Sequence, residues 1–173
     1  FFRFYDPQVL VAYLHHIEYD PTRLAAFFGF RNGECVIEHF AARIENRFYI
    51  FNLKELPPET QPSAVAFDNE MERFLEEYDK RQLLEKLQTE IIPAEFPEQK
   101  IAEADIDKYF NFALKRGFRH TEAIIDLVKA QIHLNDQEKL TQLIKQAEDE
   151  FGDNFPIIVA NTVYEQAKTE RKG

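Results

Sequence analysis

Apolar positions along this chain follow two periods, and the places where one gives way to the other set its organisation. The run Phe1-Phe2-Arg3-Phe4-Tyr5 reads as a buried aromatic strand that ends at Asp6 and passes directly into a helix. Asp6 suits the N-cap because its carboxylate can accept from free helix N–H groups, and Pro7 suits the first helical position because its missing N–H would have had no partner there. Val9, Leu10, Tyr13, Leu14 and Ile17 then recur at helical spacing and predict a helix over residues 7–16. A second Asp-Pro pair, Asp20-Pro21, opens a short helix through Leu24, Ala25, Phe27 and Phe28, closed by Gly29. After the Asn32-Gly33 turn, residues 34–44 read as one strand. Cys35, Ile37, His39 and Ala41 lie on one face and Val36, Phe40, Ala42 and Ile44 on the other, with both faces mostly covered. Glu45-Asn46 predicts a hairpin into a strand over 47–53, with Arg47, Tyr49, Phe51 and Leu53 on one side and Phe48, Ile50 and Asn52 on the other.

Residues 56–63, Leu-Pro-Pro-Glu-Thr-Gln-Pro-Ser, carry three prolines that remove ladder donors and resist helix. Beyond them the period is helical. Met71, Phe74, Leu75, Tyr78, Leu84, Leu87 and Ile91 form a stripe over residues 68–91, which Ile92-Pro93 is expected to stop. Four further helices follow a loop through Phe96-Pro97. The first, over residues 102–116, turns Ile106, Tyr109, Phe110, Ala113 and Leu114 inward, and Gly117 is its expected C-cap glycine. The second, over 121–134, buries Ile124, Ile125, Val128 and Ile132. Asn135 with Glu138 resembles a capping box for the third, which places Leu140, Leu143, Ile144, Ala147 and Phe151 inside; Pro156 begins the fourth. Helix lengths vary and no 34-residue self-match appears, so a small bundle is expected rather than a repeat solenoid.

The fold class is therefore α+β: a small mixed α/β lobe over residues 1–67, a long helix and connector over 68–100, and a helical bundle lobe over 101–173. Charge and aromatics divide the same way. Residues 1–67 hold 6 Lys and Arg against 8 Asp and Glu, with 14 of the 24 aromatic residues, whereas residues 68–173 hold 15 against 23. The aromatic opening and the lack of an initiating Met lead us to expect a missing earlier segment whose strands would pair with residues 1–5.

The formal charge of −10 argues against a phosphate-neutralising surface, so no nucleic-acid partner is expected. No apolar run approaches the roughly 18 residues that cross a bilayer, and no membrane partner is expected. One cysteine, Cys35, allows no internal disulfide and fits a reducing cytoplasm.

Candidate chemistry is sparse. His15 and His16 point about 100° apart on a helix and do not chelate one metal by themselves. His39 reads as a core or rim histidine, Cys35 as a small core residue, and His120 and His133 sit at opposite ends of one helix. The acidic runs lie on helices of mixed charge and read as solvated faces. No Gly-x-Gly-x-x-Gly, P-loop, Gly-x-Ser-x-Gly or paired Cys-x-x-Cys occurs, so no catalytic residue, metal ligand or cofactor is assigned. What remains is surface. Phe30, Arg31, Arg47, Tyr49 and Phe51 combine aromatic bodies with guanidinium heads, the types enriched where proteins grip proteins, and they either serve a partner or pack against strands outside the chain.

The stretch Phe-Arg-Phe-Tyr-Asp-Pro-Gln-Val-Leu, the later Leu24-Ala25-Ala26-Phe27-Phe28-Gly29, and residues 104–117 (Ala-Asp-Ile-Asp-Lys-Tyr-Phe-Asn-Phe-Ala-Leu-Lys-Arg-Gly) together resemble the family catalogued as domain of unknown function 4123. Its members are the Tap or TEC adaptor chaperones of bacterial type VI secretion. Arg3, Tyr5, Asp6, Pro7 and Gly117 match its motifs and read as structural; Gln8 stands where that pattern carries a basic residue, so no anion-binding role is carried over. The resemblance implies a non-enzymatic bacterial cytoplasmic protein that holds a secreted effector protein, shelters its apolar segments in an aromatic cleft, and helps load it on the VgrG spike. Two alternatives stand beside it: a helical peptide-binding scaffold, and the non-catalytic half of an enzyme whose active site lies upstream.

Overall fold

The computed structural model describes residues 6–31, 34–53, 56–57, 59–62 and 69–170. The expected strand over residues 1–5, with Arg3 and Tyr5, and the Asn32-Gly33 turn lie outside them. The fold is α+β with a helical C-terminal part. In chain order it comprises α1 (Pro7–His16), α2 (Pro21–Phe27), β1 (Phe30–Arg31), β2 (Glu34–Cys35), β3 (His39–Ile44), β4 (Arg47–Asn52), α3 (Asn69–Lys86), a π-helical turn (Leu87–Ile91), α4 (Ile92–Glu95), α5 (Glu103–Lys115), α6 (Thr121–Leu134), α7 (Gln137–Phe151) and α8 (Pro156–Glu170). The chain forms two compact units, Phe1–Glu76 and Glu77–Gly173, so the division falls inside α3 and not at the prolines.

Both Asp-Pro signatures open helices as expected. Asp6 Oδ1 accepts from the Gln8 and Val9 N–H groups at 2.9 and 3.3 Å, and Asp20 Oδ1 accepts from Thr22 and Arg23 at 3.0 and 3.1 Å. In the first unit the helices and the start of α3 close a core of Tyr13, Leu14, Ile17, Phe27, Phe28 and Met71. Phe28 and Phe40 meet edge-on, their ring centroids 4.9 Å apart.

The single strand expected over residues 34–44 is instead two. β2 pairs antiparallel with β1, the chain leaves strand geometry over residues 36–38, and β3 then pairs antiparallel with β4 from His39↔Asn52 to Ile44↔Arg47. The break has a backbone cause: Val36 N–H donates to the Gly29 carbonyl at 3.3 Å and Ile37 N–H to the Phe28 carbonyl at 3.0 Å, which ties this segment to the end of α2. The faces are also not both covered. Ala42 is buried, Phe40, Ile44, Tyr49 and Phe51 are half-buried on its side, and His39, Ala41, Arg43, Phe48, Ile50 and Asn52 on the opposite face are exposed.

Glu45 takes the first turn position of the hairpin with φ of 53°, a left-handed conformation that glycine adopts without steric cost. Glu45→Gly is therefore expected to stabilise the chain by about 0.5–1 kcal/mol, read as a higher urea midpoint at unchanged m-value. An unchanged or lower midpoint would show that the turn carries no such strain.

In the second unit α6 packs against α5, α7 and α8. Ala113, Ala123, Ala130, Ala147, Ala160 and Ala167 are all buried, and their small side chains let the helices approach closely around Leu127, Val128, Leu140, Ile144, Val159 and Val163. Gly117 ends α5 in a Schellman motif: with φ of 94°, it donates to the Leu114 carbonyl, and Phe118 donates to that of Ala113 at 3.2 Å.

Three expectations for this unit are corrected. Pro93 does not stop the long helix; a π turn precedes it, with Ile92 N–H reaching the Leu87 carbonyl, and α4 then continues through Pro93 to Glu95. The wider turn accommodates a ring that would otherwise clash with the carbonyl four residues back. Asn135 does not cap α7. It sits in the left-handed region at the end of α6, and Asp136 provides the cap, accepting from Glu138 and Lys139 at 2.9 and 3.0 Å. Phe151 is exposed rather than inside.

Glu95 carries a small network in this unit. Its carboxylate accepts from the Tyr164 hydroxyl at 2.7 Å and from Lys129 Nζ at 3.1 Å, and these bonds hold its pKa below the ordinary 4.5. A carboxyl whose folded pKa is depressed contributes stability above its unfolded value and loses it as pH falls through the folded one. The side chain is 37% exposed, so solvent screens the network and Glu95→Gln is expected to cost only about 0.5–1 kcal/mol at pH 7. The difference should shrink to nothing below the folded pKa in urea titrations across the acid limb. A constant difference across that range would assign the loss to packing.

Candidate functional site

The first unit contains an open groove of about 260 Å³. Its floor is Leu14 of α1 and Phe28, both buried, and its walls are Leu24, Phe51, Leu53 and Leu56, all half-buried. Tyr19, exposed in the turn between α1 and α2, and Ile50 on β4 stand at the rim. Three local rules build it. The Asp20 cap starts α2 directly after the α1 turn and leaves Tyr19 between the two helices; Gly29 closes α2 behind Phe28; the hairpin register sets Ile50 opposite Ala41 and Phe51 opposite Phe40.

The polar groups at the groove are the Glu18 carboxylate, the Tyr19 phenol and the Asn52 amide. A hydrogen bond with Glu18, and then its charge, raise the Tyr19 pKa. Such a lining offers hydrogen bonds around an apolar trough, the arrangement of a binding site in which a few polar groups orient an occupant and apolar walls hold it. Beside it lies the outer hairpin face, where Phe48 is 72% and Ile50 63% exposed. Arg43 stacks there, its guanidinium 5.7 Å from the Phe48 ring centre.

Of the five residues expected to grip a partner, Phe51 alone lines the groove. Its ring also meets the His15 ring edge-on at 5.0 Å. Phe30 is buried in β1 opposite Cys35, and Arg31 pairs in register with Glu34. Arg47 is exposed at the turn end of the hairpin and Tyr49 is half-buried on the inner face. Asp6 and Pro7 start α1, and Gly117 closes α5 in the second unit.

No family model, curated protein or solved structure matches the chain.

Two groove residues escape pattern reading. Ile50 belongs to the strand face opposite Tyr49 and Phe51, and Tyr19 lies between helices where no period applies; an aromatic flanked by Glu18 and Asp20 outside any stripe is the one signal that marks it. Cys35 is half-buried, and burial pushes its thiol up, away from thiolate character. His39 is exposed at the start of β3. Among the described residues no group of three or more His, Cys, Asp or Glu side chains is placed to hold a metal ion, and no helix is long and apolar enough to cross a membrane.

Proposed function

We propose that this chain is a non-enzymatic adaptor chaperone that holds an apolar segment of another polypeptide in the groove of its first unit. The observation that carries this reading is the groove itself, a trough with a buried Leu14 and Phe28 floor, flanked by the exposed Phe48 and Ile50 of one hairpin face. An apolar trough with a few polar groups at its rim has the make-up of a binding site. The resemblance of residues 2–10 and 104–117 to the type VI secretion adaptors supplies the occupant: a secreted toxic effector, held in the bacterial cytoplasm and handed to the VgrG spike. A complex dismantled at delivery calls for moderate affinity and a groove, rather than an obligate core-like interface.

The test is co-purification of the full chain from its native bacterium, with and without Ile50→Asp. Ile50 is exposed, so the substitution should leave the fold intact, while a carboxylate at the rim of an apolar trough should weaken effector binding at least about ten-fold. A toxin and a spike subunit recovered with the wild type and lost with the variant are expected. Clean isolation of the wild type alone from a secretion-active strain, or turnover of a substrate by the purified chain, would end the proposal.

A further inference from the structure

The second unit carries its own apolar surface at the turn from α7 to α8. Phe151, Phe155, Ile157 and Ile158 fall within eight residues and all are exposed, Phe155 to 54% and Ile158 to 46%. The inward stripes explain why. α7 buries Leu140, Leu143, Ile144 and Ala147, and α8 buries Val159, Ala160, Val163, Tyr164 and Ala167; the four large side chains between these stripes belong to neither.

The chain segment that carries them is acidic, and the cation at its edge, Arg116 of the α5 end, is paired with Glu148. From Gln146 to Tyr164 the chain has no Lys or Arg and has Glu148, Asp149, Glu150 and Asp153. α7 has no basic residue in its last turn, so Glu148, Asp149 and Glu150 stand at the negative end of its dipole, where carboxylates are disfavoured. Arg116 approaches Glu148 at 3.9 Å, while Asp149, Glu150 and Asp153 form no ion pair among the described residues. Beside the patch is a hollow of about 110 Å³, with Phe118, Pro156 and Val159 as apolar lining and Asp153 and the paired Glu148 and Arg116 at its walls. A long basic side chain has the matching form, an apolar stem with a charged head.

We infer that the α7–α8 turn is a docking surface for a basic amphipathic helix of another protein. Its apolar stripe covers Phe151, Phe155 and Ile158, and one Lys or Arg enters the hollow towards Asp153. Charge complementarity selects this occupant. A two-fold pairing with a second copy would set the same carboxylates against one another, and an anionic bilayer would be repelled. The surface belongs to the second unit and does not rest on the function proposed for the first.

The test uses the full chain and a fluorescent helical peptide of alternating Leu and Lys faces, with its Leu and Glu counterpart as a second probe, both read by anisotropy. The basic peptide should bind and the acidic one should not. Asp149→Asn/Glu150→Gln/Asp153→Asn should weaken binding at least ten-fold, as should Phe155→Ser/Ile158→Ser. Neutralising three exposed acids elsewhere, Glu72→Gln/Glu85→Gln/Glu90→Gln, changes net charge equally and should alter binding less than two-fold, as should Ile50→Asp in the groove. Equal loss from both charge sets would reduce the effect to bulk charge and overturn the inference. So would binding that survives the Phe155/Ile158 change, or wild-type self-association in sedimentation velocity that this change abolishes.

Discussion

Phe28→Ala should destabilise the first unit by about 3–5 kcal/mol, the range for removing a fully buried phenylalanine without collapse of the site. Phe28 is 1% exposed and its ring meets Phe40 edge-on, so the truncation removes both the buried area and an aromatic pair. Hydrogen exchange at α1 and α2 amides is the direct readout, with protection falling by the same free energy. On the proposed function the variant should also lose effector binding, because the ring is part of the groove floor. Phe28→Leu keeps most of the volume and should recover much of the protection. A loss below about 1 kcal/mol for the alanine variant would mean that the surrounding side chains close over the space left by the ring.

Ile144→Ala is the second large effect. Ile144 on α7 has no exposed surface and lies in the bundle core, so its truncation should cost about 2–5 kcal/mol by urea denaturation followed by circular dichroism. Ile144→Val removes one methylene and should cost about 0.5–1.5 kcal/mol, while Gln146→Ala, exposed on the same helix, should stay within about 0.5 kcal/mol. The ordering of the three variants matters more than any single value. If Gln146→Ala proved as costly as Ile144→Ala, burial would not be the term that holds α7 in place.

What could be read from residues alone was what is decided locally. Asp6-Pro7 and Asp20-Pro21 start helices because a carboxylate and a fixed φ act within one turn, and Gly29 and Gly117 end them because a left-handed residue is needed there. The inward stripe of α7 was legible from Leu140 to Ala147 for the same reason. Three features were decided by distant backbone or by competition. Alternation through residues 34–44 continues unbroken, yet the carbonyls of Phe28 and Gly29 claim the N–H groups of Ile37 and Val36 and split the strand. Asn135 and Asp136 are both capping residues, and the choice between them turned on which one took the left-handed conformation ending α6. In the hairpin, alternation separates Phe48 and Ile50 from Tyr49 and Phe51 without telling which pair faces the helices. That is why the hairpin residues expected to grip met the groove only at Phe51 and Ile50 was missed; Tyr19 was missed because it lies between two helices, outside any period.

The π turn ahead of Pro93 has a bearing on which lengths this helix tolerates. It lodges one residue more than an α turn would, and each residue rotates the following side chains by about 100°. Ile92 and Phe96, both buried, owe their bearing to that surplus. A deletion at Gln88 or Thr89 would regularise the helix while swinging these two anchors toward solvent, so homologues and engineered variants should keep the count between Leu87 and Pro93 even where side chains there change freely.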